Sequence, residues 1–229
     1  MRCVNASPKW RCYHMNVSFL ELQQALIETT WMVGLSTLGA VAFGIPLGVV
    51  LFGTSPGLFW ENRLIHRVLG TASNVVRSLP FVILLIVLIP LTKTLLGTST
   101  GPTAASVSLM IAGIPFYARL VESALHEVDR TIIEAAEACG ASAFQTITDV
   151  LLSEAKPSLW LGLTVTVISL LGYSAMAGLV GGGGIGDFAI RYGYHRFETD
   201  ALLVTVALLI ALVQALQWLG DRLAQRARK

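Results

Sequence analysis

The sequence predicts an all-α membrane protein of five transmembrane helices, and three observations carry that prediction. First, of 229 residues, 54% are hydrophobic and only 13% are charged, with a mean hydropathy of +0.69. A soluble domain carries about 25% charged residues, so this chain has too little polar surface to cover a globule in water. Second, five stretches are apolar over about the 20 residues that a helix needs to cross a hydrocarbon core about 30 Å thick. Third, the lysines and arginines are unevenly shared between the connections. The length fits a single domain over residues 1–229, and a net charge of +2 gives no reason to expect a nucleic-acid partner.

Residues 1–28 contain Arg2, Lys9, Arg11, His14, Glu21 and Glu28, with no uninterrupted apolar core, so no cleavable signal peptide is expected. The stretch Val17–Glu28 reads as a short amphipathic helix with Phe19, Leu22 and Leu26 on one side. The first span follows at 30–52. Gly34, Gly39, Gly44, Pro46 and Gly48 lie within it, and Gly44-xxx-Gly48 fits a small-residue packing face. The second, 73–95, is interrupted by Pro80 and Pro90, and the third, 102–125, contains Pro115. A polar connector over 126–157 leads to the fourth span, 158–180, and the last covers 200–219.

Cytoplasmic connections are enriched in Lys and Arg. With the C-terminus inside and five spans, the inside set is Arg63, Arg67, Arg77, Arg119, Arg130, Lys156, Arg222, Arg226, Arg228 and Lys229. The outside set is Arg2, Lys9, Arg11, Lys93, Arg191 and Arg196. The Arg222–Lys229 cluster beyond the last span is the strongest element. This places the N-terminus outside and the long connector in the cytoplasm.

Within that connector, helix-forming residues run to Ala138, and Gly140 can take a positive φ and end the helix. Ser142 is a natural N-cap for a second helix. Ala135, Ala136, Ala138, Ala141 and Ala143 let another backbone approach closely, and Phe144 is the one large apolar group near the turn, suited to a partner's pocket. The alternative is an ordinary solvated connector.

The run Glu134-Ala135-Ala136, three residues, Gly140, then Val150-Leu151-Leu152 resembles the EAA loop of permease subunits of bacterial ABC importers, with Ser153 where that family's pattern has Pro. Arg77-Ser78-Leu79-Pro80-Phe81 resembles a segment of amino-acid importers. Gly172 to Gly178, the glycine run after it and Arg191-Tyr192-Gly193-Tyr194 are similar to the methionine-importer branch. The resemblance implies a homodimeric inner-membrane permease working by alternating access on methionine (D, L and close analogues). It also implies two separate ATP-binding subunits, which would hold the ATP and Mg, and a substrate-binding lipoprotein outside. Glu134, Ala135, Ala136, Gly140, Ala141, Ser142 and Phe144 would form the coupling contact with the ATPase. No cofactor is expected in this chain, which has no G-x-x-x-x-G-K-[ST] phosphate loop.

Span four carries Thr164, Thr166, Ser169, Tyr173 and Ser174 in an otherwise apolar helix. Hydroxyls there can bond their own helix. Tyr173, Ser174 and Met176, with small neighbours, are the candidates for the translocation pathway, together with Ser78 and Pro80 at the head of span two. Met176 serves there as gate or as plain packing. No charged residue is expected near the middle of a span, which counts against a proton-coupled secondary transporter. The outer loop Asp187–Asp200, with Tyr192, Tyr194, Arg191 and Arg196, is a docking surface or a solvated loop.

No catalytic or metal site is expected. His14, His66, His126 and His195 are scattered, and Cys3, Cys12 and Cys139 have no ligand spacing. Cys3 and Cys12 are either free thiols or a pair on an oxidising side. The alternatives to methionine import are the same architecture for another small amino acid, or a secondary transporter.

Overall fold

The computed structural model describes residues 19–228. Cys3 and Cys12, the outside charges Arg2, Lys9 and Arg11, and the start of the leading amphipathic stretch lie outside the described residues. The regular structure described is all helical, with no strand among those residues.

The first departure from the sequence reading is at the start. The amphipathic stretch and the first span are one helix, α1, Phe19–Gly53, of 35 residues. Nothing between Glu28 and Thr30 breaks a helix, and side chains stitch across the junction. Gln24 donates to Glu28 at 3.0 Å, and the Thr30 hydroxyl donates to the Leu26 carbonyl at 2.8 Å. At 1.5 Å per residue α1 is about 52 Å long, well beyond a bilayer core.

The second departure is span two. Helix α2, Arg63–Ser78, and helix α3, Phe81–Leu96, meet at a bend of 108° instead of forming one rod over 73–95. Pro80 lacks an N–H and pushes Leu79 out of the helical region, to φ −78° and ψ 132°. Asn62 caps the start of α2, accepting from the Leu64 and Ile65 N–H groups at 3.1 Å each. Pro90 and Pro115, by contrast, stay inside their helices.

Helix α4, Pro102–His126, packs along α1. A Cβ on Gly48 would lie 2.6 Å from the Ala118 carbonyl oxygen, so only glycine permits this approach. Ser36 bridges the pair by donating to the Met32 carbonyl at 2.6 Å and the Ser106 carbonyl at 3.0 Å. The connector contributes α5, Arg130–Ala138, α6, Ala143–Gln145, a π turn Thr146–Leu151, and α7, Leu152–Glu154. Then come α8, Lys156–Ala177, α9, Gly184–Phe188, a second π turn Ala189–Tyr194, and α10, Thr199–Ala227. Four helices are long and apolar enough to cross a membrane, and the bent α2–α3 pair is apolar enough when taken together, as a broken fifth span or a re-entrant loop.

Two apolar clusters mark the ends of the bundle. Phe52, Leu125, Ile133, Ile147 and Leu151 close one end, where the connector folds. Ala25, Ile185, Phe188, Tyr192 and Ala201 close the other.

Candidate functional site

The connector is built from local signals. Asp129 caps α5, accepting from the Thr131 N–H at 2.9 Å and the Thr131 hydroxyl at 2.8 Å. These two bonds hold its carboxyl below the usual carboxylate range. Gly140, at φ +81°, ends the helix. Its N–H donates to the Glu137 carbonyl at 2.9 Å, and the Ala141 N–H reaches the Ala136 carbonyl at 3.1 Å, the reciprocal pattern of a Schellman cap. Ser142 then opens α6 with a capping box. Its N–H donates to Gln145 Oε1 at 3.0 Å, while the Gln145 N–H donates to Ser142 Oγ at 3.3 Å.

These caps divide the connector into a held side and an open side. Ile133, Ile147 and Leu151 are buried in the end cluster with Phe52 and Leu125. Glu134, Ala135, Gly140, Ser142 and Phe144 are exposed, and Ala136 and Ala141 are half-buried. Of the seven sequence-selected residues, Glu134, Ala135 and Ala136 lie in α5, Gly140, Ala141 and Ser142 in the turn after it, and Phe144 in α6. Phe144 is 69% exposed, a large apolar side chain with no covering from this chain. Where Ser153 stands for proline, α7 runs to Glu154. The helix breaks at Ala155, and Pro157 lies in the first turn of α8.

Two further hydrogen bonds hold the connector's base, and none of their four residues was selected as a site from the sequence. The Ser158 hydroxyl donates to Glu127 at 3.0 Å, joining the end of α4 to the start of α8. Arg130 donates to the Gly57 carbonyl at 3.3 Å, fastening the α1–α2 loop. These partners are 31 and 73 residues apart, so no local pattern announces them.

The pathway candidates divide differently. Tyr173 stacks on Phe81, with ring centroids 4.8 Å apart and planes at 11°. It lines a groove of about 130 Å³ with Arg77, Leu79, Phe81, Leu84 and Phe116. Ser78 and Pro80 form the bend that frames this groove, and the Ser78 hydroxyl is engaged by the Asn74 carbonyl at 2.6 Å. Ser174 is buried and donates to the Leu171 carbonyl at 2.7 Å. Met176, three residues beyond Tyr173, is 44% exposed.

At the opposite end the glycine run has a defined job. Gly181, Gly183 and Gly184 take positive φ, and the N–H groups opening α9 are already satisfied by α1. Glu28 accepts from the Gly184 N–H and the Thr29 hydroxyl from the Ile185 N–H, each at 2.8 Å. The Asp187–Asp200 loop is largely helical. Tyr192 is buried, donates to Glu21 and lies under the Arg196 guanidinium at 4.6 Å, whereas Tyr194 is 71% exposed. The bond to Glu21 raises the Tyr192 phenol above its ordinary value. Among the described residues, no three His, Cys, Asp or Glu side chains converge as metal ligands do.

Residues 26–229 match the family described as "Binding-protein-dependent transport system inner membrane component". The chain is 48% identical over 205 residues to the "Probable D-methionine transport system permease protein MetI" of Vibrio cholerae serotype O1, covering 90% of this chain and 91% of that protein. It is 44% identical over 209 residues to the "Methionine import system permease protein MetP" of Bacillus subtilis, covering 91% and 94%. Its fold matches a chain of the solved structure described as "Inward facing conformations of the MetNI methionine ABC transporter", with a TM-score of 0.89 at 40% identity, over 91% and 96% of the two chains. A chain of the "Crystal structure of an amino acid ABC transporter with histidines" matches at a TM-score of 0.74 and 19% identity, over 93% and 100%, a likeness of fold alone.

Proposed function

The chain belongs to the binding-protein-dependent transport system inner membrane component family, and from that premise we propose that it is the permease subunit of an ATP-driven methionine importer. The observation that carries the substrate is identity above 40% over about nine tenths of the chain to relatives named for methionine. Methionine of either hand, and close analogues, pass through a cavity formed by two copies of this chain. Two copies give a symmetric assembly that presents two connectors to two ATP-binding subunits. ATP and Mg are bound by those subunits, and a substrate-binding lipoprotein delivers methionine at the outer face.

The connector at 126–157 is the coupling element. Its support is the division described above: Ile133, Ile147 and Leu151 fix it to the bundle, while Glu134, Ala135, Ala136, Gly140, Ala141, Ser142 and Phe144 offer a small-residue face with one apolar plug. Such a rigid, doubly capped element passes a displacement to α4 and α8, which it joins, and biases the bundle between two packings. The basic cluster Arg222–Lys229 supports a cytoplasmic C-terminus and hence an outer N-terminus. Tyr173, Ser174, Met176, Ser78 and Pro80 border the pathway, Tyr173 from within the groove and Ser78 and Pro80 through the bend.

Uptake of labelled L- and D-methionine by a strain lacking its own methionine importer, with and without the ATP-binding subunit, tests the reading. Uptake that requires the ATPase and is competed by methionine above other small amino acids is expected. Uptake that follows a proton or sodium gradient without the ATPase overturns it.

A further inference from the structure

The sequence places Arg77 among the inside charges at the head of a span, and no charge near the middle of one. The structure shows what Arg77 stands beside there. The 108° bend at Leu79–Pro80 turns the last part of α2 toward α4, and the Arg77 guanidinium carbon lies 5.9 Å from the Phe116 ring centroid. Phe116 is about 21 Å along α4 from Pro102 and about 15 Å from His126 at 1.5 Å per residue. Arg119 and Glu122 follow Phe116 by three and six residues, about 4.5 and 9 Å along α4, so the cation is level with the last apolar turn before that helix's own ion pair. The ion pairs among the described residues are Arg63–Glu61, Arg119–Glu122 and Arg191–Asp187, so no carboxylate of these residues neutralises Arg77. A guanidinium beside an apolar face with no carboxylate partner has its donors free for an anionic group.

Its surroundings say what it meets. Arg77 is exposed at the rim of the 130 Å³ groove, whose wall is the aromatic set Phe81, Phe116 and Tyr173 with Leu84 and Ala112. No second Lys or Arg lines this groove. A single cation with free donors therefore stands beside an apolar, polarizable slot. We propose that Arg77 receives the carboxylate of the amino acid in transit while the aromatic slot takes its side chain, so that this groove is a substrate waypoint inside the permease. The guanidinium fork matches a carboxylate bidentately, and a thioether packs favourably against aromatic rings. An anionic lipid headgroup fits less well, because headgroup sites gather several basic side chains at a membrane surface. The proposal rests on the import reading and adds to it a residue that recognises the substrate.

The test uses the assembled transporter, permease with its ATP-binding subunits, in phosphatidylcholine vesicles that contain no net-anionic lipid, with the same binding protein in every arm. Labelled methionine uptake per ATP hydrolysed is compared for wild type, Arg77→Lys and Arg77→Gln, and the melting temperature of each assembly is recorded. Arg77→Gln is expected to lose tenfold or more of its uptake per ATP, and Arg77→Lys to retain clearly more than Arg77→Gln. Phe116→Leu, which removes the ring beneath the guanidinium but keeps the groove apolar, separates support of the fold from recognition. If uptake in the three variants simply follows melting temperature, the role is structural and the proposal falls. It falls equally if Arg77→Gln matches wild type, if Lys and Gln lose the same amount, or if the loss appears only when anionic lipid is added. Wild-type vesicles that take up no methionine overturn the import reading and this proposal together. Wild-type uptake with an unaffected Arg77→Gln overturns this proposal alone.

Discussion

The Ser158 hydroxyl donates to the Glu127 carboxylate at 3.0 Å, so the first turn of α8 is tied to the residue that ends α4. Those two helices are the ones the connector joins. A force applied at the connector is therefore received by both together. Ser158→Ala breaks the tie without creating a cavity. The bond is exposed, so the cost in stability is about 0.5–1 kcal/mol. The expected signature is a fall in methionine uptake per ATP hydrolysed that exceeds any fall in assembled yield. Glu127→Gln, which can still accept from Ser158, should retain more coupling than Ser158→Ala.

Gly140 carries the turn at φ +81°. A Cβ there meets no atom within 4 Å, so a substitution acts through backbone strain alone. Gly140→Ala forces an L-residue into the left-handed region at a cost of about 1–2 kcal/mol. Membrane insertion is expected to be unaffected, while retention of the ATP-binding subunit on an affinity column drops. Gly140→Asn, which tolerates this region better, should lose less. Equal retention by wild type and Gly140→Ala would remove the turn from the coupling surface.

A substitution at Phe144 tests the proposed partner binding apart from fold stability. At 69% exposure it contributes little to this chain's own packing. As an apolar anchor in a partner's pocket it is worth about 2 kcal/mol. Phe144→Ala should leave the melting temperature of the isolated permease within a degree or two and weaken ATPase association roughly thirtyfold, by the conversion of 1.4 kcal/mol per tenfold. Titrating the ATP-binding subunit onto the solubilised permease reads both quantities.

The turn was legible because caps are short-range. Gly140 and Ser142 act within three residues of themselves, and the sequence placed both correctly. Pro80 likewise declared a break, but its angle depends on how α2 packs against α4, and the level of Arg77 follows from that angle. Hence a charge assigned to a span's edge stands beside Phe116. Glu28 and Gly184 are 156 residues apart, and neither carries a local mark of the other. The glycine run could be read as tight turning. That its N–H groups close onto α1 could not. The continuity of α1 was missed for a different reason. A helix longer than the bilayer needs looks, by hydropathy alone, like two shorter elements.

Asp129 gives the connector a response to acid. Its two bonds from Thr131 favour the charged carboxylate, so its folded pKa lies below its unfolded one. The sign follows from linkage: the stabilisation of α5 is fully present above the unfolded carboxylate value of about 3.9, and it is lost as pH falls through the lowered folded value. Asparagine caps a helix about as well as aspartate and does not titrate. Hydrogen exchange of the peptide that contains α5, corrected for intrinsic rates, should therefore show equal protection in wild type and Asp129→Asn from pH 7 to 5. Below about pH 4, wild-type protection should fall while that of the Asn variant holds. Parallel curves through the acid range would show that the Asp129 cap contributes nothing to holding α5.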